Sequence, residues 1–437
     1  MPRWIAGVGA LLIVTTFLTG CGSDPGFSNE QFIPADGTAQ FVNMMPDSPQ
    51  VRMFHGIYTE DVSFPFASPV DIRPVDRYDW EIAYVNAAGD QINIAEAENQ
   101  QVSEDTLSTF LYMGTTTQPN IQVVDTPTIA QADRTEGTAD VWFASNSTVF
   151  DMLDIYLLDA DTEITTQAPL ATITSGTFSQ LISVPSGTSR RLTVTVAGTS
   201  QVVFDSGAIE IVDRRQELFA IVDDFGPGAN NHVDVIRTLA TSRSIIRDVS
   251  QGVETRAGNY SNFANVNLTV GGTSFTNLAQ DSISEYRVTP NGTQPIVAEA
   301  EGSVTGETEV VFLRGSYHSV MTFNDSGNAG QTRSITVLDA KRPTRDRSGF
   351  KFVNGSNQTV DLYGLRDGQD TDDVPPLLSD VGFGGTNTTE TFSENVRFLV
   401  TTPDQSENLG ELTQTLIAGE NYTLIFDSQG DLHLLSE

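Results

Sequence analysis

The chain has 437 residues, with 57 Asp and Glu against 23 Lys and Arg, for a formal net charge of −34. Neutralising phosphates takes a patch of clustered Lys and Arg, and none is visible, which rules out most nucleic-acid roles. Cys21 is the only cysteine, which leaves no disulfide within the chain, and the length gives room for three or four separate apolar cores.

The first element is a secretory signal over residues 1–20, with a basic start at Arg3, an apolar run from Trp4 to Leu18, and small residues at Thr19 and Gly20. The run is roughly 15 residues, short of the ~20 that cross a bilayer. Leu18-Thr19-Gly20-Cys21 resembles the lipobox of bacterial lipoproteins. The resemblance implies cleavage before Cys21, a diacylglycerol thioether on its sulfur and an acyl chain on its amine. Two or more chains anchor a protein stably. In enterobacterial lipoproteins an Asp after the cysteine favours the inner membrane. Gly22 and Ser23 stand here instead, which points to the outer membrane, with the body facing the periplasm or the cell surface. Residues 21–38 read as a polar tether, too poor in large apolar groups to build a core.

From there the chain repeats itself, in short strands of alternating Val, Ile, Thr, Phe and Tyr between Gly, Asn, Asp, Ser and Pro turns. Phe41-Val42-Asn43, Val141 to Asn146, Tyr260-Ser261-Asn262 and Phe352-Val353-Asn354 each lead into a second strand. Phe110 to Met113, Glu217 to Val222, Tyr317 to Met321 and Asn421 to Phe426 each close a unit. The period of about 90–120 residues suits complete sandwich domains better than a solenoid. The predicted fold is all-β: four tandem antiparallel β-sandwiches at 39–130, 138–243, 252–341 and 348–437. The segment Thr241 to Gln251 reads as a linker with a short helix through Ile245 and Ile246. Lys341 to Arg347 reads as a basic, protease-sensitive linker holding Lys341, and only Lys351 is a second lysine. An acidic, lysine-poor surface is similar in composition to that of proteins from salty environments.

Asn43-Met44-Met45-Pro46-Asp47-Ser48-Pro49-Gln50-Val51 resembles the opening of the bacterial Domain of Unknown Function 4397. Leu153-Asp154-Ile155-Tyr156 and Val360-Asp361-Leu362-Tyr363 are similar to its second strand, and Ala418 to Leu424 to its closing strand. Asn43 replaces the family's histidine, the Pro-Asp-x-Pro turn is absent from units two to four, and Asn267 replaces the aspartate in unit three. The resemblance implies immunoglobulin-like sandwiches in secreted or anchored proteins, and brings no activity with it. The Asp or Asn of the second strand is read as structural, pointing away from the core.

For chemistry, His55, His232, His318 and His433 stand at no metal-ligand spacing and read as surface or strand-edge residues. No nucleophile elbow, P-loop or dinucleotide fingerprint is present. Ser316 and His318 share a strand face, but no aspartate can be assigned to them. Arg190-Arg191 and Arg214-Arg215 read as solvated or salt-bridged, and Trp80 and Trp142 as core residues rather than a sugar platform. Two acidic groups are worth testing. Asp367, Asp370, Asp372 and Asp373 offer carboxylates to calcium, which takes six to eight oxygens, but lack the glycine and glutamate of an EF-hand. Asp223, Asp224, Asn230, Asn231 and Asp234 read as a turn around Gly226-Pro227-Gly228. The chain therefore reads as a non-catalytic envelope protein with structural or interaction roles and no cofactor. Its partner would be another envelope or extracellular protein or a glycan. A ligand- or glycan-binding receptor, with or without calcium, is the alternative.

Overall fold

The computed structural model describes residues 36–55, 58–85, 90–128, 131–228, 231–239, 242–325, 327–372, 374–392 and 394–437. The signal, Cys21, most of the tether, Asn230 and Asp373 lie outside these residues. The described chain is almost wholly strand and turn, with two three-residue 3-10 turns at Gln131–Asp133 and Ile164–Thr166. Eight sheets stack in four pairs, whose strands span Asp36–Pro127, Thr138–Ile246, Val253–Asp339 and Arg347–Ser436.

Period-2 alternation gives each sandwich its own core. Phe41, Trp80 and Phe110 meet in the first, Phe143, Phe204 and Phe219 in the second, Leu268, Phe275 and Phe312 in the third, and Phe350, Phe398 and Leu424 in the fourth. One pairing in each sandwich departs from the antiparallel expectation. The first and closing strands run parallel, with Phe41 opposite Phe110, Phe143 opposite Phe219, Ala257 opposite Val320 and Phe352 opposite Leu424. The chain visits the second sheet between these strands, and so long a crossover permits parallel pairing where a hairpin does not. The segment expected to turn helical at Ile245 and Ile246 is instead the edge strand Ser242–Ile246, paired with Val233–Leu239.

A buried asparagine pins three of the sandwiches together. Asn43, Asn259 and Asn354 each end a first strand and donate from Nδ2 to a carbonyl of the opposite sheet: Val62 at 3.1 Å, Leu278 at 3.1 Å and Val381 at 2.7 Å. In the third sandwich the pin is Asn259, not Asn262, because alternation turns Asn259 inward beside Ala257. In the second sandwich the inward position is Ser145, and Asn146 faces the other way. A slip of one residue moves a strand side chain to the opposite face. Asn146 accordingly reaches the first sandwich, donating to the carbonyls of Met44 (2.7 Å) and Gly114 (3.0 Å) and accepting from the Gly114 N–H (2.7 Å). The Asp and Asn of the second strands hold turns in the same way. Asp361 and Asn267 lie at register shifts and accept N–H groups of Asp380 and Asn277, both at 2.8 Å and both donors at φ 54.

The sandwiches are not strung out separately. Residues 35–437 form one compact unit. The outer faces of the first and closing strands are apolar too, and they pack sandwich on sandwich. Val42, Met44, Leu111 and Met113 of the first meet Trp142, Ala144, Leu218, Ala220 and Val222 of the second. Trp142 is therefore buried as expected, but in this seam. The third and fourth sandwiches repeat the arrangement with Tyr260, Met321, Phe323, Ile335 and Val337 against Val353 and Ile425. The approach is closest at Gly355, where a β-carbon would stand 2.1 Å from the Phe323 ring.

The linkers bind the pairs to one another. Arg247 Nη1 donates to the Gly315 carbonyl at 2.7 Å, and Gln251 donates to Asp224. Lys341 to Arg347, expected to be open to proteases, is laid against the first sandwich. Arg342 donates to the carbonyls of Ser48 (2.5 Å) and Pro46 (3.3 Å), the Arg345 N–H to Asp47 (2.9 Å), and Arg347 to Val85. Thr344 is buried between them. Cleavage requires a segment to leave such contacts. Trypsin is thus expected to spare bonds 341–347 in the native protein and to cut them once urea unfolds it. Early cleavage there, read by mass spectrometry of the first fragments, would show that the linker is not docked in solution.

Candidate functional site

A cleft of about 340 Å³ opens where the first three sandwiches and both docked linkers meet. Phe64 and Phe225 form its apolar wall, edge to face at 5.9 Å. Arg342 lies over Phe64 at 5.3 Å. Lys341 Nζ sits 4.2 Å from the ring centres of both Tyr286 and Tyr317, an aromatic cage for a cation that a surface position would not hold. Tyr286 donates to Asp339 at 2.8 Å, and burial followed by the Asp339 charge raises its pKa.

Asp223 and Asp234 also line the cleft. Asp234 belongs to an acidic group with Asp224 and Asp248, and all three are buried. Arg247 reaches two of them, with Nη1 3.4 Å from Asp234 and 3.7 Å from Asp224. Asp248 accepts the N–H groups of Asp205 (2.7 Å) and Ser250 (2.6 Å), and Asp224 that of Gly226 (2.9 Å). Asp234 Oδ1 has no hydrogen-bond partner among the described residues. Burial therefore pushes the Asp234 carboxyl up to about 7, with Asp224 and Asp248 adding to the shift and Arg247 opposing it.

A carboxyl raised in the fold favours folding below its unfolded value near 4, and that contribution is lost as pH rises through about 7. His318 has the reverse sign. Burial, helped by Lys351, lowers it to about 4, so its contribution is present above 6.5 and lost as pH falls toward 4. The two overlap, and a variant separates them. Asp234→Asn is expected to be stabilised relative to the parent at pH 8 and to lose that advantage by pH 5. Melting curves across this range that stay parallel would remove Asp234 as the titrating group.

Of the residues singled out in the sequence, Asp367, Asp370 and Asp372 are exposed on the loop between strands Val360–Leu365 and Leu378–Val381, where Asp370 accepts the Thr371 N–H at 2.8 Å. Among the described residues they belong to no three-ligand group. The Asp223 to Asp234 group divides. Asp223 turns to Ser147 Oγ (2.6 Å) and Thr148, Asn231 is exposed, and Asp224 and Asp234 converge on Arg247. Arg190, Arg191 and Arg214 pair with Asp159, Asp205 and Glu136. His318 is not at a strand edge but buried in the central strand Ser316–Asn324, 2.8 Å from Ser316 Oγ. Ser316 gives its proton to the Leu313 carbonyl, which leaves His318 Nε2 as the donor, and no third residue among those described holds Nδ1. That is the wrong proton placement for a base acting on the serine.

Sequence reasoning missed Arg247, Asp248, Lys341 and Tyr286 as site residues. Arg247, Asp248 and Lys341 had a signal in the placing of charge, and of a rare lysine, in short linkers; Tyr286, inside the third sandwich, had none. The chain matches no protein-family model and no curated protein.

Proposed function

We propose that this is a non-catalytic, lipid-anchored protein of the bacterial cell envelope. Cys21 holds it in the outer membrane, and four sandwiches similar to the Domain of Unknown Function 4397 act as one rigid body for structural or interaction roles. The observation that carries the reading is the fusion of the sandwiches through two apolar seams and two docked linkers. A body of this kind presents a fixed surface, and its acidity disfavours contact with anionic lipid. Cells expressing the full chain and fed radiolabelled palmitate are expected to label it and to retain it in outer-membrane pellets. Cys21→Ser should be unlabelled and soluble. An unlabelled parent, or a variant that still pellets, would end the anchoring part of the proposal.

The cleft favours a second reading, a ligand- or glycan-binding receptor. Its volume falls within the range of small-molecule sites, and aromatic and charged groups converge on it. Thermal shifts with a saccharide panel, with and without calcium, test this. A rise abolished by Tyr317→Ala supports the receptor, and no rise across the panel leaves the first reading standing alone.

A further inference from the structure

At the seam between the third and fourth sandwiches lies a polar group that the functional reading leaves unused. His433, on the strand Leu432–Ser436, places Nε2 3.0 Å from Asp427 Oδ2 and 3.8 Å from Asp281 Oδ1. The three donor atoms all lie within 4.8 Å of one another. Asp281 comes from the third sandwich, Asp427 and His433 from the fourth.

Each arm is held by its own backbone. Asp427 is buried and accepts the N–H groups of Gln429 (2.8 Å) and Asp431 (3.0 Å) at Oδ1, which leaves Oδ2 for His433. Asp281 sits at φ 57 on a tight turn, its N–H bound to the Asn259 carbonyl at 2.7 Å. Such outer contacts fix the direction of a ligand before any ion arrives.

A second observation is independent of the cluster. Tyr260 is 1% exposed, its ring centre is 5.2 Å from that of His433, and its hydroxyl has no hydrogen-bond partner among the described residues. Native structures rarely leave a buried hydroxyl unmet, and a water held on an ion at this point would meet it.

We infer that Asp281, Asp427 and His433 form a site for a divalent transition ion, zinc fitting best, that clamps the third sandwich to the fourth. One imidazole and two carboxylates suit zinc and its neighbours, whereas calcium needs more oxygens. At metal–ligand distances of ~2.0–2.2 Å, tetrahedral neighbours stand about 3.3–3.6 Å apart, between the two separations found here. The proton shared by His433 and Asp427 leaves to solvent as the ion enters. The Asp281 side chain is 43% exposed, which gives the ion a path in and leaves a fourth position for water.

The test is zinc titration of the detergent-solubilised full chain after chelator stripping, by calorimetry and melting temperature, with cobalt absorption as a spectroscopic readout. One equivalent should bind, raise the melting temperature and give a tetrahedral cobalt spectrum. Asp281→Asn, at an exposed turn outside both cores, should weaken binding roughly tenfold or more, and His433→Gln likewise. Asp370→Asn with Asp372→Asn should leave binding unchanged. No saturable binding at millimolar zinc, or binding that survives both Asp281→Asn and His433→Gln, would overturn the site. Binding lost only in the Asp370 and Asp372 pair would move the ion to that loop and overturn it equally.

Discussion

Replacing Leu218 with Asp is expected to loosen the first sandwich, although Leu218 belongs to the second. The residue is 2% exposed and lies in the seam with Val42, Leu111 and Met113. A carboxylate there has no cation among the seam residues, and an unpaired buried charge costs roughly 3–5 kcal/mol. Phe219→Ala is the matched control. Its side chain points from the same strand into the second sandwich's own core, and truncating a buried Phe costs a similar 3–5 kcal/mol, roughly. The two variants should differ in where the damage spreads. In Leu218→Asp, amide exchange should rise equally in Thr106–Thr115 and Gln216–Asp223, the closing strands that face each other. In Phe219→Ala the rise should be larger in the second sandwich. If Leu218→Asp leaves Thr106–Thr115 fully protected, the seam is not closed in solution.

The seam also shows what the sequence carried and what it hid. The repeated strands, their turns and the inward aromatics were legible because alternation is local: Phe41, Phe143, Phe350 and Phe352 each mark a core face. The seams had a local signal as well, of another kind. Phe110-Leu111-Tyr112-Met113 and Leu218-Phe219-Ala220-Ile221-Val222 are apolar at both parities, the mark of strands buried on both faces. Read only as closing strands, they gave the sandwich and not its neighbour. The cleft had no such signal. Asp234, Arg247, Tyr317 and Lys341 come from two sandwiches and two linkers, and converge only after the seams have set the angles between the pairs. Asp281 and His433 are brought together in the same way. The acidic run Asp367 to Asp372 was the conspicuous cluster in the sequence, yet it is exposed, because nothing apolar in that loop draws it inward.

The lysines are a further case of a residue whose meaning lies in its surroundings, and Lys351→Met is expected to be among the most damaging single changes. Lys351 is 5% exposed. Its Nζ lies 2.8 Å from both carboxylate oxygens of Glu437 and 3.9 Å from Asp339, whose side chains are fully buried. Methionine keeps most of the volume and removes the charge, so two buried carboxylates lose their shared cation, and among the described residues Arg256, 3.7 Å from Asp339, is the cation still paired with either. Breaking a buried pair from one side costs roughly 3–5 kcal/mol. Adding Glu437→Gln should recover part of that loss, and a double-mutant cycle on urea midpoints measures how much. Salt separates this effect from the general acidity. With a net charge of −34, the parent should gain stability in molar sodium chloride as surface repulsion is screened. The deficit of Lys351→Met should persist there, because ions do not reach a pair enclosed between the third and fourth sandwiches. A deficit that disappears in high salt would mean that Lys351 acts through the surface field, and that the contact with Glu437 contributes little of its own.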